Sequence, residues 1–128
     1  MNFETLNLYV ADMEKTVQFY SNLGFKFTDD AKNKSYNKIT LNCTNIAFYT
    51  MSSVNQFFTS PSLHPSDGNQ FNLSLRVENS EDINRIFDKM NKMNFFPFKG
   101  PLNADWNQRV LFYKDPDGNL IEICAHLI

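Results

Sequence analysis

Two stretches of the chain alternate polar and apolar residues with period two. They are Thr5-Leu6-Asn7-Leu8-Tyr9-Val10 and Asn72-Leu73-Ser74-Leu75-Arg76-Val77. Such alternation predicts a half-buried strand. Leu6, Leu8 and Val10, and likewise Leu73, Leu75 and Val77, share one face. Thr5, Asn7 and Tyr9, and likewise Asn72, Ser74 and Arg76, share the other. Behind each strand the period lengthens to that of a helix. Met13, Val17, Tyr20 and Leu23 form one apolar stripe, and Ile83, Ile86, Phe87 and Met90 form a second. Asp12 and Asn79 stand where an N-cap is needed, and Glu14, Glu81 and Asp82 occupy first turns, where the helix dipole favours acids. Gly24 follows the first stripe as a C-terminal stop.

The two stretches are copies of one unit. Val10-Ala11-Asp12-Met13-Glu14 is echoed by Val77-Glu78-Asn79-Ser80-Glu81, 67 positions later. After the first helix come strand candidates at residues 25–28, 36–41 and 45–50. After the second they come at 95–98, 109–113 and 120–125. Asp115-Pro116-Asp117-Gly118 joins the final pair, with Pro presetting φ and Gly supplying a left-handed position, so a tight hairpin is predicted. The expected organisation is α+β, with a first βαβββ module over residues 1–50 and a second over 70–128. A Ser-, Pro- and Asn-rich linker over residues 51–69 joins them.

Composition narrows the picture. A chain of 128 residues is the size of one domain and can bury a core without disulfides or metal. Cys43 and Cys124 match neither a disulfide framework nor a zinc pattern. No run approaches a membrane span, and the first residues show no secretory signal, so a cytoplasmic location and no membrane partner are expected. A net charge of −2 without a basic stripe argues against nucleic acid. The 13 Phe, 5 Tyr and 1 Trp exceed ordinary usage. Most of them fill a core, and the surplus is available to line a ligand cavity.

The paired βαβββ units, Val10-x-Asp12 followed by Phe19-Tyr20-x-x-Leu23-Gly24-Phe25, and the closing Asp115-Pro116-Asp117-Gly118-Asn119-Leu120-Ile121-Glu122 resemble the vicinal oxygen chelate superfamily. That superfamily includes glyoxalase I, extradiol dioxygenases and bleomycin-binding resistance proteins. The resemblance implies an open, cup-shaped mixed sheet with helices outside, a small-molecule site on the concave faces, and a homodimer. In metal-dependent members it implies a ligand near the start of each module's first strand and another on each last strand. Those positions read Thr5, Phe48, Asn72 and Glu122 here. Only Glu122 is a strong ligand, and Thr5 and Asn72 offer neutral oxygens that do not suit a transition metal. The expectation is therefore no metal and no cofactor.

A cup without metal is still a pocket. Thr5, Asn7, Tyr9, Asn72, Ser74, Arg76, Leu120, Glu122 and Cys124 are expected to point into it, with Phe48 as an aromatic wall and Trp106 as a roof or a loop anchor. Glu122 would recognise a cationic or hydrogen-bonding ligand, act as general acid or base if the chain is catalytic, or pair with Arg76. Cys124 is expected to be an inert thiol, since no His is placed to deprotonate it. His64 is expected in a solvated loop and His126 in the tail, while Phe57 and Phe58 could pack under the cup or across a dimer contact. The function this supports is metal-free binding of a small molecule, including drug sequestration. The alternative is a glyoxalase-like lyase or extradiol-type dioxygenase with an atypical ligand set.

Overall fold

The computed structural model describes residues 4–57 and 72–128, and for Phe57 the backbone alone. His64 and Phe58 lie outside the described residues. The chain divides into two compact units, Met1–Gly68 and Asn69–Ile128. The fold is mixed α+β, with one open sheet in each unit.

In the first unit, strand β1 (Leu6–Val10) leads into helix α1 (Met13–Leu23). Asp12 caps the helix by accepting the Lys15 amide at 3.1 Å. Gly24 ends it with φ +115°, a left-handed position that costs a glycine nothing. The buried residues of α1 are Met13, Thr16, Phe19 and Tyr20. The expected stripe is thus rotated, and Val17 and Leu23 are only half-buried. The cause is an aromatic cluster: Tyr20 stacks on Phe25 at 5.1 Å and on Phe48 at 4.9 Å. Strands β2 (Tyr36–Leu41) and β3 (Thr44–Thr50) complete a sheet ordered β1-β3-β2, with β1 parallel and β2 antiparallel to β3.

The strand expected over residues 25–28 does not form. Phe25 is buried and Phe27 rests against Phe48 at 5.8 Å, so the segment keeps the alternation of a strand. Its backbone joins no ladder. A single 3-10 turn, Ala31–Asn33, follows it. That turn is tied to β2 by a side chain, Asn37 Nδ2 donating to the Ala31 carbonyl at 3.0 Å. The first stretch of the expected linker is a short helix, α2 (Met51–Phe57), which buries Met51 and Val54.

In the second unit, β4 (Asn72–Arg76) precedes helix α3 (Ser80–Lys92). Asn79 and Asp82 form a reciprocal capping box. Strands β5 (Lys99–Ala104), β6 (Gln108–Lys114) and β7 (Leu120–His126) follow, and the sheet is ordered β4-β7-β6-β5. The strand expected over 95–98 starts later, at Lys99. Pro97 has no amide to donate, and the ladder begins where the Phe98 amide reaches the Phe112 carbonyl at 2.8 Å. The predicted hairpin is present. Buried Asp115 accepts the amides of Asp117 and Asn119 at 3.0 and 2.8 Å, and Gly118 takes φ +83°.

Tyr113 sits among the buried residues of β6, and burial pushes its phenol up to about 12 from 10.0. A raised pKa stabilises the fold fully below the unfolded value and loses that contribution as pH rises through the folded value. Stability should therefore fall by about 2 kcal/mol between pH 10 and 12. Urea melts across that range check it, and Tyr113→Phe should flatten the fall.

Candidate functional site

Each sheet packs against helix on one face, and its other, open face carries the polar alternates of its strands, with Ala47, Val110 and Cys124 buried among them. In the second unit α3 lies against β5, β6 and β7. The ladder places Ser74 beside Glu122 and Arg76 beside Cys124, with Phe112 and Val110 next in the same rows. These side chains share the open face, because directly paired residues point the same way. Asn72 and Leu120 extend it by one row, and His126 and Gln108 form the row at the other end.

Two polar clusters occupy this face. Ser74 Oγ donates to Glu122 Oε1 at 2.7 Å and lies 3.9 Å from Cys124 Sγ. Farther along, Arg76 Nη1 lies 3.4 Å from His126 Nε2, and Gln108 Nε2 lies 3.5 Å from His126 Nδ1. Gln108 Oε1 in turn accepts the Trp106 indole N–H at 3.0 Å. His126 is thus the last residue of β7, not a tail residue, and sequence reasoning left it out of the site. Its position four residues after Glu122 carried the signal, since an even separation on a strand keeps one face. Arg76 turns to His126 and makes no ion pair with Glu122 among the described residues. Glu122 is half-buried, with its second oxygen uncommitted to any donor among the described residues. Trp106 is 62% exposed in the β5–β6 turn, so it does not anchor that loop in the core.

In the first unit, the open face carries Asn7 and Tyr9, with Thr5 just before the strand. Tyr9, Tyr49 and Tyr36 line up across β1, β3 and β2. Tyr49 lies 6.2 Å from Tyr9 and 4.8 Å from Tyr36. Phe48 is elsewhere. It is fully buried on the helix side, against Tyr20 and Phe27, and forms no wall of the open face. The ladders show why. Asn7 pairs with Ala47 as Ser74 pairs with Glu122, and Leu8 pairs with Phe48 as Leu75 pairs with Ile123. The counterpart of Glu122 is therefore Ala47, one residue before Phe48.

A catalytic divalent metal needs several anionic or imidazole donors. At the relevant positions the first unit offers the Thr5 hydroxyl and the Ala47 methyl. The second offers the Asn72 amide and one carboxylate, already engaged by Ser74. Among the described residues, no group of three His, Cys, Asp or Glu could hold an ion. These residues do not fit a catalytic transition metal. Among the described residues, no helix is long and apolar enough to cross a membrane.

A family model described as the Glyoxalase/Bleomycin resistance protein/Dioxygenase superfamily matches residues 2–123. Solved structures show the same fold at low identity. A hypothetical protein from S. aureus superposes with a TM-score of 0.78 at 22% identity, covering 98% of this chain and 94% of that one. A protein of unknown function from Agrobacterium tumefaciens gives 0.77 at 22%, covering 99% and 95%. A glyoxalase/bleomycin resistance protein/dioxygenase family enzyme from Burkholderia phytofirmans gives 0.76 at 17%, covering 96% and 97%. No curated protein matches the chain.

Proposed function

The chain belongs to the glyoxalase/bleomycin resistance protein/dioxygenase superfamily, and from that premise we propose that it binds a small molecule reversibly, without a catalytic metal. One observation carries the reading. Glu122 is the sole anionic group at the positions where metal-dependent members place ligands, and Ala47 stands at its counterpart. The superfamily's metal chemistry would need donors that these side chains do not supply.

What the residues can do is recognise. Ser74 fixes one oxygen of Glu122 and leaves the other to accept a ligand N–H or face a cationic group. Phe112, next to Glu122 across the ladder, supplies an apolar surface beside that charge. In the first unit Thr5, Asn7 and Tyr9 add polar groups to its own open face, and in the second Arg76 and Asn72 do so beside Glu122, with Trp106 at the rim of that sheet. This arrangement suits a flat ligand with a cationic or donor group, as in drug sequestration. We place the protein in the cytoplasm as a homodimer.

Protein purified without chelator should carry well under one zinc, nickel, manganese or iron per chain, and light scattering should give twice the chain mass. One tightly held metal per chain would reverse the reading. Titration with the aromatic cation benzamidine, followed by Trp106 emission, should saturate. Glu122→Gln should weaken it about tenfold, the size of a lost charge-assisted hydrogen bond.

A further inference from the structure

The missing ladder over residues 25–28 leaves a cavity of about 190 Å³ along the outer edge of β2. In the second unit the segment after the helix supplies β5 and pairs with β6. In the first unit the segment after the helix stands off from β2, and the gap is lined by Lys26, Phe27, Thr28, Lys34, Tyr36 and Lys38, among others. All of it lies within the first unit. It is at a sheet edge, and Glu122 and its ladder neighbours are not among its lining residues.

The chemistry of the lining is one-sided. Three lysines line the gap and no acidic residue does. Asp30, which bonds to two of the lining residues, is already used. Its carboxylate accepts the Thr28 hydroxyl at 3.0 Å and meets Lys34 at 3.5 Å. That bond, together with the Lys34 charge, holds the Asp30 carboxyl below its usual range. Lys26 and Lys38 have no ion-pair partner among the described residues. Two aromatic residues are among the lining, Phe27, half-buried against Phe48 on the helix side, and Tyr36, 43% exposed on the open face and braced by Tyr49. The volume is below the roughly 300 Å³ at which drug-sized sites begin, so the occupant is small.

We propose that this edge cavity is a binding site for a small aromatic carboxylate. Lys26 and Lys38 take the carboxylate, and the ring lies against Tyr36. Lysine meets an anion as a compact charge without a fixed fork, so two lysines on opposite walls can close on one carboxylate. The exposed Tyr36 ring favours an anion with a flat apolar body over a bare one.

The test is an amide-resolved NMR titration of the full chain with sodium benzoate, sodium acetate and inorganic phosphate. Benzoate should give saturating shifts at residues 26–28 and 36–39, and bind at least tenfold tighter than acetate or phosphate. The double variant Lys26→Ala/Lys38→Ala should lose at least tenfold in benzoate affinity at unchanged melting temperature, since both side chains are exposed. Lys26→Arg/Lys38→Arg should retain binding. Glu122→Gln should leave it untouched, which separates this site from the one proposed above. Three results would each overturn the assignment: phosphate or acetate binding as tightly as benzoate, shifts centred outside the two segments, or full affinity in the alanine double variant.

Discussion

Phe48→Ala should cost about 3–5 kcal/mol of stability, a large share of what holds a domain of this size together. The ring has no exposed surface and touches Tyr20 of α1 on one side and Phe27 on the other, at 4.9 and 5.8 Å. Removing it leaves a void beside the rings of Tyr20 and Phe27. It also uncouples the helix from the central strand of its sheet. Phe48→Leu keeps most of the volume and should cost less than about 1.5 kcal/mol. Urea melts of the two variants measure the difference, and an unchanged denaturant slope confirms that the native fold persists. A ring facing ligand would behave in the opposite way, with a small stability change and lost binding. A loss below about 1 kcal/mol in the alanine variant would return Phe48 to the open face.

That single residue shows where the sequence is legible and where it is not. β1, β4, the caps at Asp12 and Asn79, the Gly24 stop and the closing hairpin depend on local chemistry, and each is found where the residue pattern predicts it. The first strands of the two units keep the separation of 67 seen between Asn7 and Ser74. The last strands do not. Ala47 and Glu122 are 75 apart, because the intervening segments differ in length. Matching Phe48 to Glu122 errs by one residue, and in a strand one residue exchanges the open face for the core. Only the ladder register reveals the slip. Residues 25–28 teach the same lesson. Their alternation is that of a strand, but a strand also needs a neighbour with which to bond, and no local pattern encodes the neighbour. The helix Met51–Phe57 was hidden by its polar composition, with only the Met51 and Val54 pair marking a buried side. The open face of the second sheet was legible as a set of residues. The partnerships on it were not, and Ser74 with Glu122, and Arg76 with His126, follow from side-chain geometry alone.

Gly100→Ala should be the most damaging conservative change in the second unit, at about 3–5 kcal/mol. Two independent terms set the size. The residue has φ +91°, where a Cβ costs on the order of 1–2 kcal/mol by itself. In addition, that Cβ would lie 2.7 Å from the Val110 carbonyl oxygen and 3.3 Å from the Leu102 amide nitrogen. Both are backbone atoms of the paired strands β5 and β6, so no side chain can swing aside, and the edge strand must leave its ladder. Gly118 provides the internal control. Its φ is +83°, yet an added Cβ would meet nothing within 4 Å. Gly118→Ala should therefore pay the backbone term alone, about 1–2 kcal/mol. The gap between the two variants isolates the steric contact. Thermal melts give the two losses, and hydrogen exchange at the Val110 and Phe112 amides locates the first of them. Equal losses would mean that β5 yields freely between Lys99 and Leu102, where its register against β6 shifts. A much larger loss at Gly100 would mean that this close approach holds β6, and with it the row running through Phe112, Glu122 and Ser74, in register.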